Sequence, residues 1–384
     1  MNVELGDRVE HPRYGGGQIV ALYRNGEEWM VRFDSGLRFR RDRHEFSGEE
    51  QTVAVGPAPL PLPDTSPMTR TQYEARNLIE ALRVGVAPAQ HVSELTIGLA
   101  EERASLIAGL NEAHGQGGAA RAVLGDYGYG KSHIVELTSQ EALERNFLVA
   151  TTSLDLGELP PHRAFDIFGS LMRGLRYPNT DVHGIGPLLD AFTPSERAQL
   201  NELGDVPNDP LVVALQALDG LSSTRQKLAW QQWLMGGRRL KLMNRATPRK
   251  IRFPSIYRVG HNARQIAYLL SGVSVMARLV GYSGLCVLID EAESYSLLYP
   301  YQRPKAGAFF SAVIYAAMQD RQSRITDDAF PQHRWRDYPL AYNDRQSLFF
   351  LFTVTRSDDQ MPLESWLNGD QILTRDPHHS AQEI

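Results

Sequence analysis

The feature that most constrains the fold is a glycine-rich octapeptide at residues 125–132. It reads Gly-Asp-Tyr-Gly-Tyr-Gly-Lys-Ser and fulfils the pattern G-x-x-x-x-G-K-[ST] at every fixed position. An apolar strand pattern precedes it at residues 120–124, and a helix pattern begins near Ser132. A glycine-rich loop between a strand and a helix is typical of phosphate binding, because glycines let backbone N–H groups converge on phosphate oxygens.

The octapeptide therefore predicts a site for ATP and Mg²⁺. Lys131 is expected to reach the β- and γ-phosphates, and the Ser132 hydroxyl is expected to bind Mg²⁺. The predicted cofactor-binding residues are the loop and the residue after it: Gly125, Asp126, Tyr127, Gly128, Tyr129, Gly130, Lys131, Ser132 and His133.

A second motif is the apolar run at residues 285–289, which ends in the two carboxylates Asp290 and Glu291. We expect Asp290 to hold the water shell of Mg²⁺ and Glu291 to orient and deprotonate the water that attacks ATP. In the alternative interpretation, the acids only begin the next loop or cap a helix. The phosphate loop favours the catalytic interpretation, and the adjacent glutamate favours hydrolysis over passive binding.

A further apolar strand pattern, residues 348–354, is followed by Thr355 and Arg356. In ATPases with an added strand between the phosphate loop and the acidic strand, a polar residue at this position senses the γ-phosphate. Thr355 is the first candidate and Thr353 the second, because alternate strand residues share a face. The alternative is a threonine favoured only by its β propensity. Arg356 is expected to be a solvated arginine, with a finger or sensor role as the alternative. The predicted catalytic residues are thus Glu291, Lys131 and Thr355.

The chain divides into a small β unit, a linker and a larger α/β unit. Residues 1–47 hold short alternating runs around an Asn-Gly turn and predict an all-β barrel of the SH3 or Tudor kind. Residues 48–70 are rich in proline and predict an extended linker. In residues 71–384 strand and helix patterns alternate, which predicts a mainly parallel sheet covered on both faces. A long, mostly helical insertion is expected at about 160–281.

Composition excludes several functional classes. The formal net charge of −5 argues against a surface that coats nucleic acid or anionic membranes. One cysteine, Cys286, excludes an intrachain disulfide and a cysteine-based metal cluster. Every apolar run is far shorter than the roughly 20 residues that cross a bilayer, and the N-terminus is charged, so we expect a soluble cytoplasmic protein without membrane contact.

Residues 236–252 reverse the overall acidity, because they hold seven basic residues and no acid. They are a candidate contact for a phosphate backbone or for the acidic surface of a neighbouring subunit. A solvated helical face is the alternative.

Two segments resemble known families. Residues 6–20, with their Gly-Asp-Arg-Val start and Gly-Gly-Gly run, resemble the opening of small barrels in bacterial transcription and repair factors. Those barrels are the polymerase-interacting module of the CarD type and the Tudor-like module of UvrD-type helicases. This resemblance implies RNA polymerase or nucleic acid as a partner.

Residues 71–355 resemble the P-loop proteins of bacterial phage-exclusion (BREX-type) defence operons, on residues 76–85, 125–133 and 288–293. The resemblance implies an AAA+-like, additional-strand P-loop NTPase fold and partners among other defence-system proteins. Enzymes of this class often complete their site with a neighbour's arginine, so a homo-oligomer is expected, with Arg321 or Arg324 as candidate donors. Few residues follow residue 355, and residues 371–374 are the candidate for a short edge strand.

Three functions remain open at this point. The first is a Mg-dependent ATPase whose cycle changes its grip on DNA or a protein partner. The second is a nucleotide-dependent switch or adaptor with little turnover, which recruits double-stranded DNA, RNA polymerase or a defence partner through the N-terminal barrel. The third is a kinase or other phosphotransferase, for which the sequence offers no acceptor-site signature.

Overall fold

The computed structural model describes most of the predicted elements. The described residues are 5–11, 14–34, 38–46, 69–83, 92–204, 206–207, 209–218, 221, 223–235, 263–318, 330 and 338–355. Five predictions lie wholly or mostly outside them: the linker at 48–70, of which only residues 69 and 70 are described, the basic segment 236–252, the arginine donors Arg321 and Arg324, Arg356, and the edge strand at 371–374. The chain divides into two compact units, Met1–Thr69 and Arg70–Ile384.

The first unit contains a four-stranded antiparallel sheet in the order β1-β2-β3-β4. Its strands are β1 (Arg8–His11), β2 (Gly15–Tyr23), β3 (Glu28–Phe33) and β4 (Arg38–Asp42). Short 3₁₀ turns follow at Arg24–Gly26 and Arg43–Phe46. The strand pairs among the described residues form a meander, and closure into a barrel stays a prediction.

Alternation along β3 builds the small core of this unit. Trp29, Val31 and Phe33 are buried and pack with Ile19 of β2, because residues two apart point to the same face of a strand. Tyr23 lies outside this core, with the Arg40 guanidinium stacked over its ring at 4.4 Å from the centroid.

The second unit is built on a six-stranded sheet in the order β5-β10-β9-β6-β7-β8. Its strands are β5 (Gly118–Gly125), β6 (Phe147–Ser153), β7 (Arg176–Tyr177), β8 (Thr180–His183), β9 (Gly284–Asp290) and β10 (Leu348–Thr355). The first four strands of that order run parallel, and β7 and β8 add an antiparallel hairpin. The predicted sheet of mostly parallel strands is therefore confirmed.

Helices connect these strands. In chain order they are α1 (Arg70–Arg83), α2 (Val92–Leu95), α3 (Ala100–Gln116), α4 (Lys131–Glu144), α5 (Ala164–Arg173), α6 (Gly186–Asp190), α7 (Pro194–Leu203), α8 (Pro210–Leu218), α9 (Thr224–Leu234), α10 (Ala263–Leu279) and α11 (Arg303–Met318). A 3₁₀ turn at Ala292–Leu297 follows β9. None of the described helices is long and apolar enough to cross a membrane.

Both faces of the sheet are buried, as the sequence predicts. Along β10, Phe350 and Phe352 join the core that contains residues of α5, α10 and α11, whereas Phe349 and Leu351 join the core that contains residues of α3 and α4. An apolar run without alternation is what a doubly covered parallel strand requires.

The predicted helical insertion also contains the β7–β8 hairpin. This hairpin was not predicted, because β7 has two residues and β8 four, which is too short for a period-two pattern. Tyr177 anchors it: its hydroxyl donates to the Gly184 carbonyl at 2.8 Å and accepts from the Leu188 N–H at 2.9 Å.

Candidate functional site

The predicted site residues come together at one edge of the six-stranded sheet. Parallel strands end at the same edge, and the register places Thr355 opposite Gly125 and Ser153 opposite Asp290. Strand β10 lies between β5, which leads into the phosphate loop, and β9, which leads into the acidic pair. The loop and the acids are therefore two strands apart in the sheet, on either side of the end of β10.

The phosphate loop has the backbone that its glycines predict. Gly128 and Gly130 have φ of 82° and 81°, in the left-handed region that a side chain disfavours. Gly130 also precedes the first residue of α4, so the positive end of that helix faces the loop. The two intervening tyrosines, Tyr127 and Tyr129, are 92% and 76% exposed.

Lys131 lies inside the loop rather than in solvent. Its side chain is nearly buried, and its Nζ donates to the carbonyl oxygens of Gly125 at 3.1 Å and Asp126 at 2.9 Å. An ammonium group has three N–H donors, so these two bonds leave one for a ligand. Two backbone carbonyls of the loop therefore already contact the ammonium group, whose positive charge would attract a phosphate group.

Ser132 and Asp290 meet across the site. The Ser132 hydroxyl donates to Asp290 Oδ2 at 2.6 Å, although the two residues lie on α4 and β9. The other carboxylate oxygen, Oδ1, accepts the Thr353 hydroxyl and the Glu291 N–H, the latter at 3.0 Å. Three donors thus fix the Asp290 carboxylate beside the first turn of α4.

The Glu291 side chain is held on the β6 side of this carboxylate. Glu291 has φ of 59°, a left-handed conformation that is uncommon for a residue with a side chain. Such strained conformations occur more often at functional sites than elsewhere. Its Oε2 accepts the Ser153 hydroxyl at 3.0 Å. The sequence analysis missed Ser153, although it is the polar residue that ends the β6 strand, the signal that identified Asp290 on β9.

The two threonines of β10 have different partners. Thr353, the second candidate from the sequence, is fully buried and bonds the Asp290 carboxylate and the Glu291 N–H. Thr355, the first candidate, donates to the Glu293 carboxylate. The structure therefore brings Thr353 to the acidic pair, and the role of Thr355 as a γ-phosphate sensor stays a prediction. Glu293 was missed because it follows the strand in a 3₁₀ turn without a periodic pattern.

His133 ties the phosphate loop to the segment before α3. Its Nε2 lies 2.8 Å from the Thr96 hydroxyl, which donates in turn to the Val92 carbonyl at 2.6 Å. The first turn of α4 is therefore fixed from outside the motif as well.

The oxygen atoms of Ser132 and Asp290 suit Mg²⁺ by their chemistry. Mg²⁺ prefers oxygen ligands and binds through one or two carboxylates together with phosphate oxygens and waters. Among the described residues, no group of three or more His, Cys, Asp or Glu side chains is placed to hold a metal alone.

A comparison with known protein families matches the part of the chain that contains the phosphate loop. Residues 71–214 match the family model described as BREX system ATP-binding protein BrxC/D. The matched segment includes the phosphate loop, α4 and Ser153, whereas the four-stranded N-terminal sheet, Asp290 and Glu291 lie outside it. No curated protein and no solved structure matches the chain. The resemblance to phage-exclusion P-loop proteins is confirmed over residues 71–214, where the chain is similar to the BREX system ATP-binding proteins BrxC/D.

Proposed function

We propose that this protein is a Mg-dependent ATPase that acts with DNA or protein partners in a bacterial defence system. The observation that carries the proposal is the contact of Ser132 with Asp290, at 2.6 Å, next to Glu291. The hydroxyl on α4 and the carboxylate at the end of β9 could bind a metal, and the second carboxylate could accept a proton. Hydrolysis of a phosphoanhydride needs groups of these kinds.

Lys131 and the loop amides supply the binding part of the reaction. A triphosphate in the loop takes the free N–H of Lys131 and competes with the Gly125 and Asp126 carbonyls for the other two. The helix N-terminus at α4 adds a fixed positive potential that needs no reorganisation. These groups hold the phosphates before chemistry begins.

Ser132 and Asp290 would hold Mg²⁺ through their oxygens, directly or through water. When bound, Mg²⁺ neutralises charge on the phosphate oxygens. Asp290 keeps two further bonds, from Thr353 and from the Glu291 N–H, so its carboxylate keeps its orientation when Ser132 turns to a ligand.

Glu291 would act as the general base. Ser153 occupies its Oε2, which leaves Oε1 to accept a proton from water. A positioned base contributes roughly 10²–10⁴ to the rate. The backbone at Glu291 is left-handed, and its carboxylate has a different hydroxyl partner from that of Asp290, so Asp290 would bind the metal and Glu291 would accept the proton.

The test is Glu291→Gln, assayed by phosphate release and by binding of a fluorescent ATP analogue. We expect turnover to fall by about 100-fold or more while the analogue remains bound. Lys131→Ala is expected to lose analogue binding. The matched control is Glu144→Gln, an exposed carboxylate at the far end of α4. Turnover that is unchanged in Glu291→Gln would refute the assignment.

The bond between Ser153 and Glu291 supports a second candidate, a nucleotide-dependent switch with little turnover, because the carboxylate of the base is already engaged. In this case the N-terminal unit recruits double-stranded DNA, RNA polymerase or another defence-system protein. Multiple-turnover phosphate release with and without duplex DNA separates the candidates. A homo-oligomer is proposed for both, and its test is sedimentation with and without Mg·ATP.

A further inference from the structure

Two exposed tyrosines stack on each other just beyond the acidic pair. Tyr299 and Tyr301 are 67% and 69% exposed, and their rings are nearly parallel, at 8°, with centroids 5.8 Å apart. Leu297, which precedes them, is also exposed. We call residues 298–305 the tyrosine loop. A cluster of large exposed apolar groups marks a binding surface more often than a random position does.

Hydrogen bonds hold the tyrosine loop in one conformation. The Tyr299 carbonyl accepts the N–H groups of Gln302 at 2.8 Å and of Arg303 at 3.3 Å, and the Tyr299 N–H donates to Gln302 Oε1 at 3.2 Å. The rings are therefore carried on a fixed turn that leads into α11. A preorganised aromatic surface loses little entropy when it binds a ligand.

Basic residues lie within the tyrosine loop and on the segment next to it. Arg303 and Lys305 belong to it, and Gln302 Nε2 lies 3.3 Å from His162 Nε2, which brings residues 162 and 163 alongside. The Lys305 N–H donates to the Gln302 carbonyl at 3.1 Å, and Arg163 follows His162 in the chain, so both cations belong to the segments that this contact joins. Desolvation lowers the pKa of His162, and the charges of Arg163 and Lys305 lower it further. Asp166, 3.9 Å from Arg163, offsets part of this charge.

The tyrosine loop is also joined to the proposed catalytic site. The 3₁₀ turn Ala292–Leu297 alone separates it from Glu291, and the Ser294 N–H donates to the Glu291 carbonyl at 3.3 Å. Glu293 in this turn bonds Thr355 at the end of β10. The turn that precedes the tyrosines is therefore hydrogen-bonded both to Glu291 and to the end of β10.

We propose that the tyrosine loop binds single-stranded nucleic acid. Bases stack on the outer ring faces of Tyr299 and Tyr301, and phosphates pair with Arg163, Arg303 and Lys305. Flat aromatic faces next to cations complement the two chemical parts of a nucleotide, and such stacking accepts any base. A duplex keeps its bases stacked inside the helix and cannot offer them to the rings. This proposal rests on the proposed function and extends it, since it names single-stranded nucleic acid as the partner whose binding the ATP cycle would strengthen or weaken.

The test is fluorescence anisotropy of a labelled single-stranded thymidine oligonucleotide of about 20 nucleotides, longer than the roughly 4–16 that a single-strand site covers. It is measured on the full chain without nucleotide. Tyr299→Ala and Tyr301→Ala are each expected to weaken binding about ten-fold, and Tyr→Phe at either position to retain it, because the stacking face remains. The matched control is Tyr73→Ala on α1, a tyrosine that is 59% exposed. Lys305→Ala is expected to lower the slope of log affinity against log salt by about 0.7.

Three results would overturn this inference: no binding of the oligonucleotide by the unsubstituted protein, equal affinity in the tyrosine variants, or a preference for duplex DNA that the tyrosine variants leave unchanged. Binding of a fluorescent ATP analogue is measured on the same samples. If the unsubstituted protein does not bind the analogue, the proposed ATPase function is contradicted, whereas the oligonucleotide result still stands. The two proposals can therefore fail separately.

Discussion

Replacing Thr353 with valine tests whether one buried hydroxyl holds the acidic pair in place. Thr353 is fully buried; its hydroxyl donates to Asp290 and accepts the Glu291 N–H at 3.2 Å. Valine has almost the same shape as threonine. The substitution therefore removes the hydroxyl without opening a cavity, and its effect reports the hydrogen bonds alone.

The expected cost follows from the charge of the acceptor. A hydrogen bond to an ionised group contributes about 1.5–3 kcal/mol, against about 1 kcal/mol for a neutral pair. Asp290 keeps the Ser132 hydroxyl and the Glu291 N–H, so its charge is not left without partners. We therefore expect a loss near the lower end, about 2 kcal/mol in the free energy of unfolding, or a factor of about 30 in the equilibrium constant.

The assay is urea unfolding followed by tryptophan fluorescence, because Trp230 and Trp233 are buried in the unit that contains the site. Thr138→Val is the matched control: Thr138 is equally buried and donates to a neutral carbonyl, that of Ile134, at 2.7 Å. It is expected to cost about 1 kcal/mol. A Thr353→Val variant that loses no more stability than this control would show that the hydrogen bond to Asp290 contributes no more to the free energy of unfolding than a bond to a neutral acceptor.

Three shorter predictions concern other contacts. Ser153→Ala is expected to lower kcat for ATP about ten-fold with KM unchanged, because Glu291 loses the donor that orients it; a rise in kcat, measured by phosphate release, would favour the switch instead. Tyr177→Phe is expected to cost about 1–2 kcal/mol of unfolding free energy in urea titration, because the buried Leu188 N–H loses its acceptor, and an unchanged midpoint would contradict this. Burial raises the pKa of the Cys286 thiol, so a thiol reagent at pH 8 is expected to label it only after unfolding, and rapid labelling of the native protein would show that β9 opens.

Much of the fold was predictable because its signals are local. The loop at residues 125–132 needed specific glycines, a lysine and a serine within eight residues, and these are visible in any reading of the chain. The apolar runs that became β5, β6, β9 and β10 are continuous, as doubly buried parallel strands must be. Asp290 and Glu291 were found because carboxylates that end such a run are conspicuous.

The pairing of those strands was not local. Residues 348–355 and 118–125 are far apart in sequence, yet β10 lies between β5 and β9 and places Thr353 under the acidic pair. Alternation put Thr353 and Thr355 on the same face, and only the register decided that Thr353 reaches Asp290 while Thr355 reaches Glu293. The meeting of Ser153 with Glu291 likewise depends on β6 pairing with β9.

The sequence by itself therefore determined the phosphate-loop motif, the two acids at the end of a strand and the apolar segments that must be buried. The tertiary structure alone decided that Ser132 contacts Asp290, that Ser153 contacts Glu291 and that two exposed tyrosines before α11 stack on each other. The physical reason is that residue chemistry and short-range periodicity are properties of a single segment. Contacts across a parallel sheet join segments whose register is set by the packing of the whole core.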